Sequence, residues 1–175
     1  SDKEIKTPAD MAGFKLRMPP ADSWQFLGSA LGANPVPVPF AELYTALQTG
    51  AVDGQDNPLP TVMDAKFYEV TKQIVLTSHL VDMNYLALSK KAWDALSPEN
   101  QAKLQKAADD AAEFGRQNQL AKEAELIEGL KAKGLKIYEP DLDAFRTTVQ
   151  KAYLGSEFSK SWPEGIVDKI NALAK

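Results

Sequence analysis

Gly13-Phe-Lys-Leu-Arg-Met-Pro-Pro20 is the stretch from which the fold can be read outward. Phe14, Leu16 and Met18 alternate with Lys15 and Arg17, the two-residue period of a strand, and Pro19 and Pro20 stop it because proline has no amide to donate. Arg17 therefore falls near the end of a strand. Its residue type allows two readings, a charge on the strand surface or a group that holds an anion.

Elements follow on the carboxy-terminal side. From Asp22 or Ser23 a short helix is expected, with Phe26, Leu27, Ala30 and Leu31 at helical spacing and Gly32 as its stop. Val36 and Val38, set among Pro35, Pro37 and Pro39, read as an extended segment or an edge strand. Phe40 leads into a helix over 41–49 that ends at Gly50, and the run VDGQDNPLP (52–60) reads as turn and loop. A helix over 61–70 and strands over 74–76 and 80–88 complete the first half. This strand–helix alternation predicts α/β architecture with parallel pairing.

Ser97-Pro98-Glu99 is a strong helix start: Ser caps, Pro is pre-organised for the first turn, and Glu suits the positive end. Good helix formers then continue to Gly134, giving ~54 Å at about 1.5 Å per residue. A single globule of this size is only ~40 Å across, from a radius of gyration near 16 Å. The helix must therefore bend, with Gly115 the obvious place, or reach from one lobe to another. A short strand over 135–138 and one or two helices from Asp143 onward, interrupted around 161–165, end the chain.

Composition narrows the function. With 44% apolar and 25% charged residues the chain should fold, and 175 residues can bury a substantial core. Twenty basic against twenty-four acidic residues leave a net charge of −4, which argues against nucleic acid as a partner. The absence of cysteine excludes disulfides, thiolate metal sites and thiol chemistry. No apolar run approaches the ~20 residues of a membrane span, and SDKEIKTPAD does not read as a signal peptide. The expectation is a soluble chain from which any export segment has been removed.

Catalytic and metal patterns are weak. His79 is the only histidine, which rules out a two-histidine metal site within the chain, and without a GxSxG elbow it reads as a structural or loop residue. Asp53, Asp56 and Asn57 share one turn but lack calcium-loop spacing, and local turn bonding accounts for the aspartates. A small acid–base hydrolase or lyase using Asp53 or Asp56 stays open as an alternative, as does a fragment without a ligand. No metal or cofactor is expected. Gly28, Gly32, Gly50 and Gly54 make no phosphate-binding pattern. Trp24, Phe40 and Tyr44, taken singly, read as packing residues near Arg17.

The ordered series GFKLRMPP, LGANPVPVPFAELYTALQTGAVDGQDNPLPTV, AKFYEV, LTSHLVDMNYLALSKKAWDALSPENQ and GLKIYEPDLDAF resembles the solute-binding proteins of tripartite ATP-independent periplasmic (TRAP) transporters, over about residues 6–158. The resemblance implies a periplasmic binding protein-like fold and a two-lobed, non-catalytic periplasmic receptor. Such a receptor closes on a small organic carboxylate and delivers it to a membrane permease. It also implies ligand-binding roles: Arg17 of the G-x-K-x-R segment for the carboxylate, Asn57 of the GQ-[ED]-NP turn for a carboxylate or hydroxyl oxygen, and Phe40 of the F-[SA]-E-[VL]-Y segment for the ligand's apolar part. Trp24 is expected to flatten the pocket. Pro20 stands where some relatives have a polar residue, which points away from bulky acidic sugars.

By the same analogy, residues 6–81 and 124–175 build the second lobe, and 82–122 contribute a strand and part of the long helix to the first. The amino-terminal lobe would then be largely absent from these residues. Apolar faces around Met83 to Leu96, Leu104 and Phe114 would lack their cover, a surface that favours self-association or a separately supplied amino-terminal segment.

Overall fold

The computed structural model describes residues 3–80 and 85–173. Three strands form a parallel sheet in the order β2-β1-β3: β1 (Lys15–Met18) in the centre, β2 (Asn34–Pro37) on one edge, β3 (Gly54–Gln55) on the other. Edge placement suits β2, because Pro35 and Pro37 cannot donate to a second neighbour. A separate parallel pair joins β4 (Gln73–Val75) to β5 (Lys136–Tyr138).

The alternation in β1 sorts the core. Leu16 and Met18 join Ile5, Met11, Phe14, Leu27, Leu31 and Phe145 in one buried cluster. Leu27 lies on α1 (Asp22–Ala30) and Phe145 on α6 (Leu142–Leu154), so these two helices pack on that side. A second cluster gathers Leu43 and Leu47 of α2 (Leu43–Gln48), Leu59 and Val62 of α3 (Leu59–Asp64), Phe67, and Leu130 of the long helix α5 (Pro98–Ala132). Val36 and Val38 pack against this second cluster. Helices thus cover both sides of a mostly parallel sheet, the α/β arrangement expected from the strand–helix alternation.

Two glycines set close approaches. A Cβ on Gly28 would come within 2.8 Å of Pro35 Cβ, which lets α1 lie directly on β2, and one on Gly54 would come within 2.7 Å of the Phe14 ring. That second contact explains a difference from the sequence reading. The run 52–60 is not all loop: Gly54–Gln55 pairs with Leu16 and Arg17 of β1, and α3 already starts at Leu59. Pairing with a neighbouring strand overrides turn composition.

Other boundaries shift for local reasons. The helix expected over 41–49 begins as a 3-10 turn, Phe40–Glu42. The one expected over 61–70 ends at Asp64, because Lys66 adopts a left-handed φ of 55° before a 3-10 turn at Phe67–Glu69. The strand expected over 80–88 lies partly outside the described residues, and its described part, Leu80 and Tyr85–Leu88, is in no strand. After it comes α4 (Lys90–Asp94), which the sequence reading does not anticipate; Ser89 caps it by accepting from the Ala92 amide. Ser97 caps α5 in the same way through Asn100. The last helix, α7, is Ile166–Leu173.

Candidate functional site

In a parallel sheet the strands' carboxyl ends lie along one edge, and α1 and α2 leave β1 and β2 toward opposite sides of the sheet. In open α/β sheets the crevice at such a reversal of strand order is where ligands bind. The sequence-predicted residues follow these ends: Arg17 in β1, Trp24 just past it at the start of α1, Phe40 after β2, and Asn57 after β3.

Arg17 is not a surface charge. It lies in the central strand, is only 2% exposed, and is the one buried charged side chain among the described residues. Its Nε donates to the Val38 carbonyl at 2.8 Å, which fixes the guanidinium beside the end of β2. Burial pushes the guanidinium downward from its ordinary value, and the carboxylate of Asp56 opposes that shift. A buried cation held by one carbonyl and faced by one carboxylate suits a planar anionic partner, because two parallel N–H donors can meet two carboxylate oxygens.

Gln55 is the register partner of Arg17, and its side-chain oxygen accepts from the Asn57 amide. Arg17, Gln55, Asp56 and Asn57 are thereby brought together. Phe40 is half exposed, and its ring meets that of Phe67 edge to face with centroids 5.8 Å apart. Trp24 belongs elsewhere: it packs against the cluster of Leu16, Met18 and Phe145, on the opposite side of β1 from Arg17.

The two aspartates of the open enzymatic alternative have different occupations. Asp53 ties β3 to β1: its carboxylate accepts from the Lys15 amide at 2.8 Å, and its own amide donates to the Lys15 carbonyl. This is a cross-strand tie, where the sequence suggested a local turn bond. Asp56 instead faces His79, whose Nε2 lies 3.4 Å from Asp56 Oδ2. Sequence reasoning missed this neighbour. The signal available was position, since His79 lies a few residues past the end of β4.

The family model described as bacterial extracellular solute-binding protein, family 7, matches residues 1–160. The chain belongs to that family. It is 38% identical over 173 residues to the sialic acid-binding periplasmic protein SiaP of Vibrio cholerae, covering 99% of this chain and 53% of SiaP. It is 36% identical over 168 residues to the 2,3-diketo-L-gulonate-binding periplasmic protein YiaO of Escherichia coli, covering 92% and 49%. A TRAP periplasmic solute-binding protein of Roseobacter denitrificans, solved with bound 3-deoxy-D-manno-oct-2-ulosonic acid, superimposes with a TM-score of 0.93 at 67% identity, over 98% of this chain and 56% of that one. The chain thus spans about half the length of these family members. Its fold is that of part of a TRAP solute-binding protein, as the sequence resemblance implied.

Proposed function

We propose that this chain supplies the Arg17-bearing half of a periplasmic TRAP receptor that binds one small hydroxylated carboxylate and passes it, unchanged, to a membrane permease. The observation that carries the reading is Arg17: a buried guanidinium at the carboxyl edge of a parallel sheet, in a family with solved members that hold 3-deoxy-D-manno-oct-2-ulosonic acid and L-galactonate. Arg17 anchors the carboxylate through paired hydrogen bonds, Asn57 and Gln55 meet oxygen atoms, and Phe40 covers an apolar face of the ligand. Trp24, on the other side of β1, acts through packing and not through ligand contact.

Residues 82–122 belong, in this reading, with the other lobe, and the exposed Leu104 and Phe114 are where that lobe packs. Self-association through the same surface is the alternative when the other lobe is absent. Pro20 pointed away from bulky acidic sugars. The 67% identical relative with an ulosonic acid bound weighs against that, since one lost side-chain donor is easily replaced by others around a polyol. Sugar acids are therefore the favoured ligand class. The hydrolase or lyase alternative is weakened because the Asp53 carboxylate is committed to the tie between strands.

Native mass spectrometry of the protein with both lobes, incubated with candidate sugar acids, tests this. One acid bound per protein and recovered intact is expected. Product formation that disappears in Asp53→Asn would reject the receptor reading in favour of an enzyme.

A further inference from the structure

We propose that His79 is a positioning residue that couples anion capture at Arg17 to uptake of a proton, its imidazolium offsetting Asp56 when the carboxylate arrives. The inference rests on the reading of Arg17 as the carboxylate anchor. Its basis is three groups from different segments: Arg17 in β1, Asp56 directly after Gln55, the register partner of Arg17, and His79 after β4, facing Asp56.

The geometry is specific. Asp56 acts electrostatically on the Arg17 guanidinium, and its Oδ2 lies 3.4 Å from His79 Nε2. Both side chains are mostly buried, with 13% of His79 and 16% of Asp56 exposed. The other ring nitrogen, Nδ1, pairs with the Thr77 hydroxyl, which fixes the imidazole plane. Between them Ser78 holds a left-handed φ of 46°, a conformation a residue with a Cβ rarely adopts. The chain thus accepts backbone strain at the turn that carries His79.

Among the described residues the buried His79 Nε2 has no hydrogen-bond partner, although Asp56 stands within ion-pair distance. A buried polar atom in that state is costly, and protonation of the ring would convert the contact into a charge-assisted bond. Among the described residues, the charged group facing His79 is Asp56, which in turn acts on Arg17; Thr77 on its own segment and Gln55 and Asn57 beside Asp56 are neutral.

Charge then decides the coupling. With a neutral imidazole the trio carries no net charge, because Asp56 cancels Arg17, and an incoming carboxylate meets a repelling neighbour. With an imidazolium the trio carries one positive charge for the anion to neutralise. A carboxylate therefore binds better to the protonated form, and by linkage its binding draws a proton onto His79. Histidine is the side chain suited to this near neutral pH.

Calorimetry on the protein with both lobes tests this, with 3-deoxy-D-manno-oct-2-ulosonic acid as the probe, its carboxylate ionised throughout pH 6–8. Titrations in buffers of different ionisation enthalpy count the protons taken up. The wild type should lose affinity by ~3- to 30-fold from pH 6 to pH 8, below the limit of about tenfold per pH unit for one proton. It should also take up a measurable fraction of a proton, a readout that needs no variant. His79→Gln, checked for an unchanged melting temperature, should bind with a flat pH profile and no proton uptake. Tight binding with a flat profile in the wild type, or an equal pH slope in His79→Gln, overturns the coupling and leaves the receptor reading intact. Failure of the wild type to bind this probe or L-galactonate at any pH overturns the receptor reading and the coupling together.

Discussion

At its carboxy-terminal end α5 presents Leu126, Ile127 and Leu130 to the second hydrophobic cluster, with Leu130 completely buried. From its middle toward its start the same helix exposes Phe114 (71%) and Leu104 (42%) to solvent. The two regions share a helical backbone and similar helix-forming residues but are stabilised differently. Packing holds the last two turns. The first part relies on the Ser97 cap and on exposed, solvent-screened pairs along the helix, Lys103–Glu99, Lys106–Asp110 and Arg116–Glu113, each a weak contribution. Helix formation is thus a local property, whereas docking depends on what lies alongside.

The contrast predicts a gradient of mutational effects. Leu130→Ala removes a fully buried side chain and should destabilise the chain by ~2–5 kcal/mol in urea unfolding. Ser97→Ala removes the cap and should cost ~1 kcal/mol, seen as faster amide hydrogen exchange in the first turn of α5 while the 127–132 amides stay protected. Phe114→Ala should change the stability of this chain by no more than about 0.5 kcal/mol, because the ring is exposed. In the protein with both lobes the same change should cost several times more, as a buried aromatic would. An equally small effect in both would mean that no lobe covers Phe114.

How much of this was legible in the sequence depended on whether the signal was local. The alternation of Phe14, Leu16 and Met18, the stop at Gly32 and the Ser97-Pro98-Glu99 start are each written in a few adjacent residues, and each element appears where expected. The long-range features were not. Gly54–Gln55 becomes a strand only because β1 lies beside it, and α4 is too short to carry a clear helical period. The candidate site divides the same way. Arg17, Phe40 and Asn57 came from a family resemblance and fall at the carboxyl edge of one sheet, while Trp24 packs on the other side of β1. The burial of Arg17 and the neighbourhood of Asp56 and His79 depend on segments far apart in the chain, beyond the reach of spacing within one motif.

The most direct measurement concerns Arg17 itself. In the protein with both lobes, titrated calorimetrically with a sugar acid it is shown to bind, Arg17→Ala should weaken binding by at least ~10-fold and up to several hundred-fold, since charge-assisted hydrogen bonds contribute about 1.5–3 kcal/mol each. Arg17→Lys should recover only part of the loss, because it restores the charge without the two parallel donors. Wild-type affinity in a normally folded Arg17→Ala protein would contradict the account, leaving the buried guanidinium as a structural tie to Val38 and placing the anion elsewhere.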